Sequence, residues 1–213
     1  MNNFFNCSQK LIWIRDLSTD LDMSVLDKEF YTLPFKDNVA NKISVEMNLL
    51  DQDKFKHHNQ VCTDIATQYL SQAYNLKDFF TKLKITNSWA NYTEPSHGHH
   101  EHTHPFSIVS GVIFLDNNPT NGNLYIESYL PDIPYFVGYN KTFISLNALL
   151  GDYGVNLQEH NYLQNHLVLF LSNWTHFVEK TNNDSLPRRT LSFNTFWEGE
   201  VGHKNVSLGS YTF

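Results

Sequence analysis

The run Phe106-Ser107-Ile108-Val109-Ser110-Gly111-Val112-Ile113-Phe114-Leu115 leaves this chain few choices. It is apolar at odd and even positions alike and far too short to span a membrane. Such a segment reads as a strand covered on both faces inside a layered structure. Directly before it stands His97-Gly98-His99-His100-Glu101-His102-Thr103-His104-Pro105, with five of the chain's 11 histidines in eight positions. Histidine titrates near neutrality and is the commonest metal ligand. Alternate side chains of an extended segment point the same way, so His102 and His104 aim two imidazoles at one place.

Composition narrows the class. With 213 residues, 41% of them hydrophobic and 15% aromatic, one domain over residues 1–213 with a sizeable core is expected. The 16 Phe and 11 Tyr favour a β-rich fold, since rings fit a pleated surface. The net charge of −7, with scattered basic residues, argues against nucleic-acid binding. Cys7 and Cys62 form no C-x-x-C pair and read as free thiols of a reducing compartment. Residues 1–5 lack the start of a signal peptide, and no apolar stretch reaches membrane-spanning length. The expectation is a soluble cytoplasmic protein with no membrane partner.

Along the chain, Leu11–Arg15 reads as an early strand, and residues 23–50 are ambiguous. From Asp51 to Leu76, Phe55, Cys62, Ile65, Ala66, Tyr69, Leu70 and Ala73 recur at helical spacing. Asp51 or Asp53 is the candidate cap, with His57 and His58 in a solvated first turn. A short helical piece is expected over 76–83. After Lys82 the pattern turns to strands at 84–89, 106–116, 123–128, 141–145, 166–172, 176–179, 188–198 and 205–211, with a hairpin loop at 117–122. The architecture expected is mainly β with α: a jelly roll over 84–213, backed by strand and helices from 1–83.

Two further segments carry chemistry. In Leu167–Val178 a buried apolar strand meets a tight polar turn, and His176 opens the next strand. It is either a third ligand beside His102 and His104 or a hydrogen-bonded core histidine. In Arg188–Trp197, alternation puts Arg188, Thr190, Ser192 and Asn194 on one face, with Leu191, Phe193 and Trp197 on the other beside Arg189. The polar face either meets water or lines a pocket in which Arg188 and Ser192 grip a carboxylate. Period two makes Arg188 the inward residue and sends Arg189 to solvent.

These segments together resemble the Fe(II)- and 2-oxoglutarate-dependent oxygenases, and most closely an oxygenase family common in marine bacteria and phages. The resemblance rests on Ser88-Trp89-Ala90-Asn91, His102-x-His104-Pro105-x-Ser107-x-x-Ser110-Gly111-Val112, Gly122-Asn123-Leu124, Leu169-Phe170-x-Ser172 before His176, and Arg188-x-Thr190-x-Ser192-Phe193-Asn194. It implies a double-stranded β-helix of the cupin-like jelly-roll class, in a bacterial or virus-infected host cell. It also implies iron held by His102, His104 and His176, and a 2-oxoglutarate tail held by Arg188 and Ser192, with Asn194 or Trp89 lining the pocket. His104 stands where many relatives carry a carboxylate; Asp116 and Glu127 are the alternative acids, and His99 and His100 the alternative imidazoles. Asn165 stands where relatives have a turn glycine, and Leu171 where they have proline. The expected activity is a dioxygenase, and specifically a hydroxylase, using O2 and a small-molecule or peptide substrate, with a homodimer as an option. The alternatives are a three-His metalloenzyme independent of 2-oxoglutarate and a non-enzymatic jelly-roll or virion-associated module. Substrate specificity is expected in the connection at 128–165.

Overall fold

The structure, a computed structural model, describes residues 2–7, 10–74, 82–116, 123–128, 142–147, 163–181, 186–202 and 210–212. In chain order its strands are β1 (Asn2–Cys7), β2 (Lys10–Asp16), β3 (Phe35–Asp37), β4 (Lys42–Ser44), β5 (Lys82–Thr93), β6 (His99–His102), β7 (Val109–Phe114), β8 (Leu124–Ser128), β9 (Thr142–Ser145), β10 (His166–Leu171), β11 (His176–Val178), β12 (Arg188–Glu198), β13 (Glu200–Gly202) and β14 (Ser210–Thr212). The helices are α1 (Met23–Phe30) and α2 (Lys56–Ala73). An eight-stranded antiparallel sheet runs β1-β2-β10-β7-β12-β5-β4-β3, and a four-stranded sheet runs β6-β11-β8-β9. This is a double-stranded β-helix, mainly β, with helices on the outer side of its larger sheet.

Period-two alternation sorts the larger sheet's side chains into two cores. Trp13, Ile113, Leu167, Leu169, Leu191 and Phe193 pack toward Ile65, Ala66, Tyr69 and Leu70 of α2. Ile12, Ile14, Phe114, Val168 and Phe170 pack with Leu124 and Ile126 of the smaller sheet. Strand β10, serving both cores, therefore has to be apolar throughout. On β12, Leu191 and Phe193 serve the helix side, whereas Arg188, Thr190, Ser192 and Asn194 are buried on the opposite side. The space between the sheets is thus greasy at one end and polar at the other.

Several local expectations are corrected. The long helix begins at Lys56, behind 3-10 turns at Leu49–Asp51 and Asp53–Phe55, and its N-cap is Phe55, with no side-chain cap. Asp51 instead accepts from Asn59 Nδ2 at 3.0 Å. His58 is not solvated: it is buried against Phe55, its Nε2 3.4 Å from the Asp22 carbonyl. The residues left ambiguous supply α1 and the β3–β4 hairpin, which extends the large sheet through β4 and β5. Strand β5 starts at Lys82, inside the expected helical piece, and residues 75–81 lie outside the described ones. Strand β7 starts at Val109 because Pro105 and Phe106 form a turn, with Phe106 at φ 59°. Asn165 does sit in the left-handed region, at φ 63°. The hairpin loop at 117–122, most of the 128–165 connection, and 205–209 lie outside the described residues. Among the described residues, no helix is long and apolar enough to cross a membrane.

Candidate active site

Backbone pairing assembles the histidines. Antiparallel β6 and β11 set His102 opposite His176. The lead-in to β6 runs so close to β11 that a Cβ on Gly98 would lie 2.4 Å from the Val178 carbonyl oxygen, so a side chain is excluded there. His104, past the end of β6, is held by its amide, which donates to the Ser172 carbonyl at 2.9 Å. Ser172 belongs to the turn between β10 and β11, so the turn that delivers His176 also docks His104.

One ligand nitrogen from each of His102, His104 and His176 lies within 4.8 Å of the other two. His104 Nε2 and His176 Nε2 are 3.2 Å apart. A carbonyl only accepts, so the contacts of His102 Nδ1 with the His100 oxygen (2.8 Å) and His176 Nδ1 with the Trp174 oxygen (2.9 Å) put the proton on Nδ1. Both Nε2 lone pairs are then turned to the cluster, as a metal requires. Burial, helped by the neighbouring imidazoles, pushes His104 down to about 4 and His176 well below the usual histidine range. His102 is also lowered, by burial first. At neutral pH the three rings are uncharged, and this donor set fits a divalent transition metal.

The cluster opens on a cavity that reaches Arg188 on the larger sheet. Arg188 is 6% exposed, and its Nε and Nη1 have no hydrogen-bond partner. Burial brings this guanidinium down to about 10, still a cation at neutral pH. A buried cation with two idle donors calls for an anion, and a guanidinium edge is shaped to take a carboxylate. Among the described residues, no Asp or Glu lines the cavity to supply one from within.

Residues 87–194, about half the chain, match the family described as "Putative 2OG-Fe(II) oxygenase". The chain belongs to the Fe(II)- and 2-oxoglutarate-dependent oxygenases. Its cofactor is Fe(II) and its cosubstrate 2-oxoglutarate. The oxygenase is similar in fold to a 2OG-Fe(II) family oxidoreductase from Burkholderia pseudomallei (TM-score 0.56, 10% identity, 86% of this chain and 83% of that one). It is also similar to a prolyl-4-hydroxylase from Pseudomonas putida (0.53, 14%, 86% and 91%). A third is the epimerase SnoN in complex with Fe3+, alpha ketoglutarate and nogalamycin RO (0.57, 10%, 95% and 84%). No curated protein matches the sequence.

Within this oxygenase the other candidate residues fall as follows. Ser192 and Trp89 line the cavity, whereas Asn194 sits behind His104, its Nδ2 3.4 Å from His104 Nδ1 and its Oδ1 accepting from Ser110 Oγ. His99 lines the cavity beside His102, their ring centroids 4.4 Å apart. Asp116 is engaged elsewhere: both of its oxygens accept from Arg189. Glu127 is buried on β8 outside the cavity lining. Arg188 lies inside, as alternation requires, but Arg189 does not escape to solvent. Its side chain is 11% exposed, paired with Asp116 and Asp27 and packed on the Phe30 and Tyr31 rings. Those partners, distant in sequence, remove the cost that would have expelled it. Thr190 and Asn91 line the cavity too, and so does Asn41 from the β3–β4 turn, 50 residues upstream of Asn91, which no sequence signal marks.

Proposed function

We propose that this oxygenase is a hydroxylase in which His102, His104 and His176 hold Fe(II) and Arg188, with Ser192, holds the tail carboxylate of 2-oxoglutarate. One observation carries the reading: a three-imidazole cluster shares a cavity with a buried arginine whose donors are idle. Bound iron supplies oxygen activation, coupling conversion of 2-oxoglutarate and O2 to succinate and CO2 with insertion of the other oxygen atom into a C–H bond.

The chain's own residues position and exclude. The carbonyls at 100 and 174 fix the ring orientations of His102 and His176, so neither imidazole has to reorganise on loading. Arg188 selects a dicarboxylate over a shorter keto acid by neutralising its far end. Trp89, Phe114, Phe170 and Val178 wall the cavity with apolar surface and keep bulk water from the reacting face. The substrate is a small molecule or peptide.

The test is anaerobic titration of the Fe(II)-loaded protein with 2-oxoglutarate, watching for a metal-to-ligand charge-transfer band. The expected outcome is a saturable band in the wild type that is lost on His176→Ala and shifted to far higher concentrations in Arg188→Ala. Iron bound at one per chain with no band would sink the cosubstrate assignment.

A further inference from the structure

Arg188 belongs to a series of cross-strand pairs between β12 and β5: Arg188 opposite Thr93, Thr190 opposite Asn91, and Ser192 opposite Trp89. All but Thr93 line the cavity, and Thr93 stands at its edge as the partner of Arg188. Opposed residues of an antiparallel pair project to the same face. Thr93 is 2% exposed, and its Oγ1, like Arg188 Nε and Nη1, is buried without a hydrogen-bond partner. Three idle polar atoms thus belong to one cross-strand pair. A buried hydroxyl left unpaired is costly, so a partner that arrives with a ligand is the economical explanation.

The next pair is saturated, and its polarity can be deduced. Trp89 Nε1, which can only donate, gives its hydrogen to Asn91 Oδ1 at 3.1 Å. That contact settles which end of the Asn91 amide is oxygen, independently of any flip. Asn41 Nδ2 donates to the same oxygen at 3.3 Å, and Asn38 Nδ2 donates in turn to Asn41 Oδ1 at 2.9 Å. Asn91 Nδ2 must therefore face β12, where it donates to Ser192 Oγ at 2.9 Å and Thr190 Oγ1 at 3.3 Å. Each hydroxyl spends a lone pair on Asn91, which leaves its single proton to be turned toward the cavity.

We propose that β5 completes the carboxylate recess: Thr93 donates directly to the cosubstrate's tail, and Asn91, locked by Trp89, orients the Thr190 and Ser192 hydroxyl protons toward it. Thr93 is a binding residue here, while Asn91 and Trp89 are positioning residues. The inference rests on the reading of Arg188 as the carboxylate anchor.

The test compares 2-oxoglutarate with 2-oxopentanoate, which keeps the chelating head but lacks the tail carboxylate, by calorimetry on Fe(II)-loaded protein without oxygen. Thr93→Val should weaken 2-oxoglutarate about tenfold, as for loss of one hydrogen bond to a charged group, and leave 2-oxopentanoate unchanged. Thr93→Ser should restore the wild-type value. The metal-free Thr93→Val protein should melt no lower than wild type, because an unpaired buried hydroxyl has been replaced by a methyl group. Trp89→Phe keeps the ring and removes only the N–H; it should weaken 2-oxoglutarate roughly threefold, again without touching 2-oxopentanoate. Asn91→Leu should do so about tenfold. Equal weakening of both acids would mean a merely structural role and overturn the proposal. So would wild-type discrimination in all three variants while Arg188→Ala abolishes it. Discrimination that survives Arg188→Ala would overturn the anchor reading itself.

Discussion

His58 shows what a single side chain contributes when sequence and structure disagree about its surroundings. Its position near the start of α2 suggests solvent, yet it lies buried with Nδ1 unpartnered. Burial lowers its proton affinity below that of a free imidazole; the contact with the Asp22 carbonyl opposes this, and His57 adds a lesser lowering. The folded state therefore disfavours the proton that the unfolded chain accepts below about pH 6.5. The stability tied to neutral His58 is complete above that value and is lost as pH falls toward the lowered folded value. Denaturant unfolding of wild type and His58→Leu from pH 7.5 to 5 should show a shallower acid-side decline in the variant. Parallel curves would mean that His58 titrates normally. The arginine pair teaches the reverse lesson. Which of Arg188 and Arg189 points inward follows from the period of a strand alone, but the partners that keep Arg189 largely buried come from α1 and from Asp116 just past β7, and local sequence cannot name them.

At the scale of elements, the central ladder of the larger sheet tolerates no added bulk. A Cβ on Gly111 of β7 would lie 2.2 Å from Cζ of Phe193 on β12, whose ring is fully buried and cannot swing clear. Gly111→Ala should cost about 1–3 kcal/mol in denaturant unfolding, and Phe193→Leu in the same chain should recover part of it. An undiminished midpoint would mean that the ring or the strands give way far enough to turn a 2.2 Å approach into ordinary contact. Long elements were the readable ones. Strand β12 and helix α2 announce themselves by periods sustained over 11 and 18 residues, the six-residue β10 does so by being apolar almost throughout, and β12 has its expected bounds. The four-residue β6 and three-residue β3 and β4 are too short to carry a period. They exist because a neighbour is there to pair with. That is why the inward face of Arg188 could be read from the period of β12, whereas Asn41, which reaches the cavity from the β3–β4 turn, could not. The histidines, on or beside strands of three and four residues, stood out by residue type and crowding alone.

For the whole molecule, the decisive feature is that the two halves of the site belong to different sheets. His102 and His176 stand on the smaller sheet and Arg188 on the larger, with only the polar end of the inter-sheet space between them. In the proposed function, a dicarboxylate held at one end by metal and at the other by Arg188 would be a removable tie rod between two leaves. Once metal is bound, adding 2-oxoglutarate should slow amide hydrogen exchange in β6 and β11 as well as in β12, although neither short strand touches the tail carboxylate. In Arg188→Ala the metal should still protect the smaller sheet, and the further slowing should vanish. Protection confined to β12 would refute this coupling. If it holds, the fuel molecule doubles as a mechanical part: decarboxylation shortens the rod by one carbon at the metal end and replaces its two-point grip there with a single carboxylate, and the chamber loosens when succinate leaves.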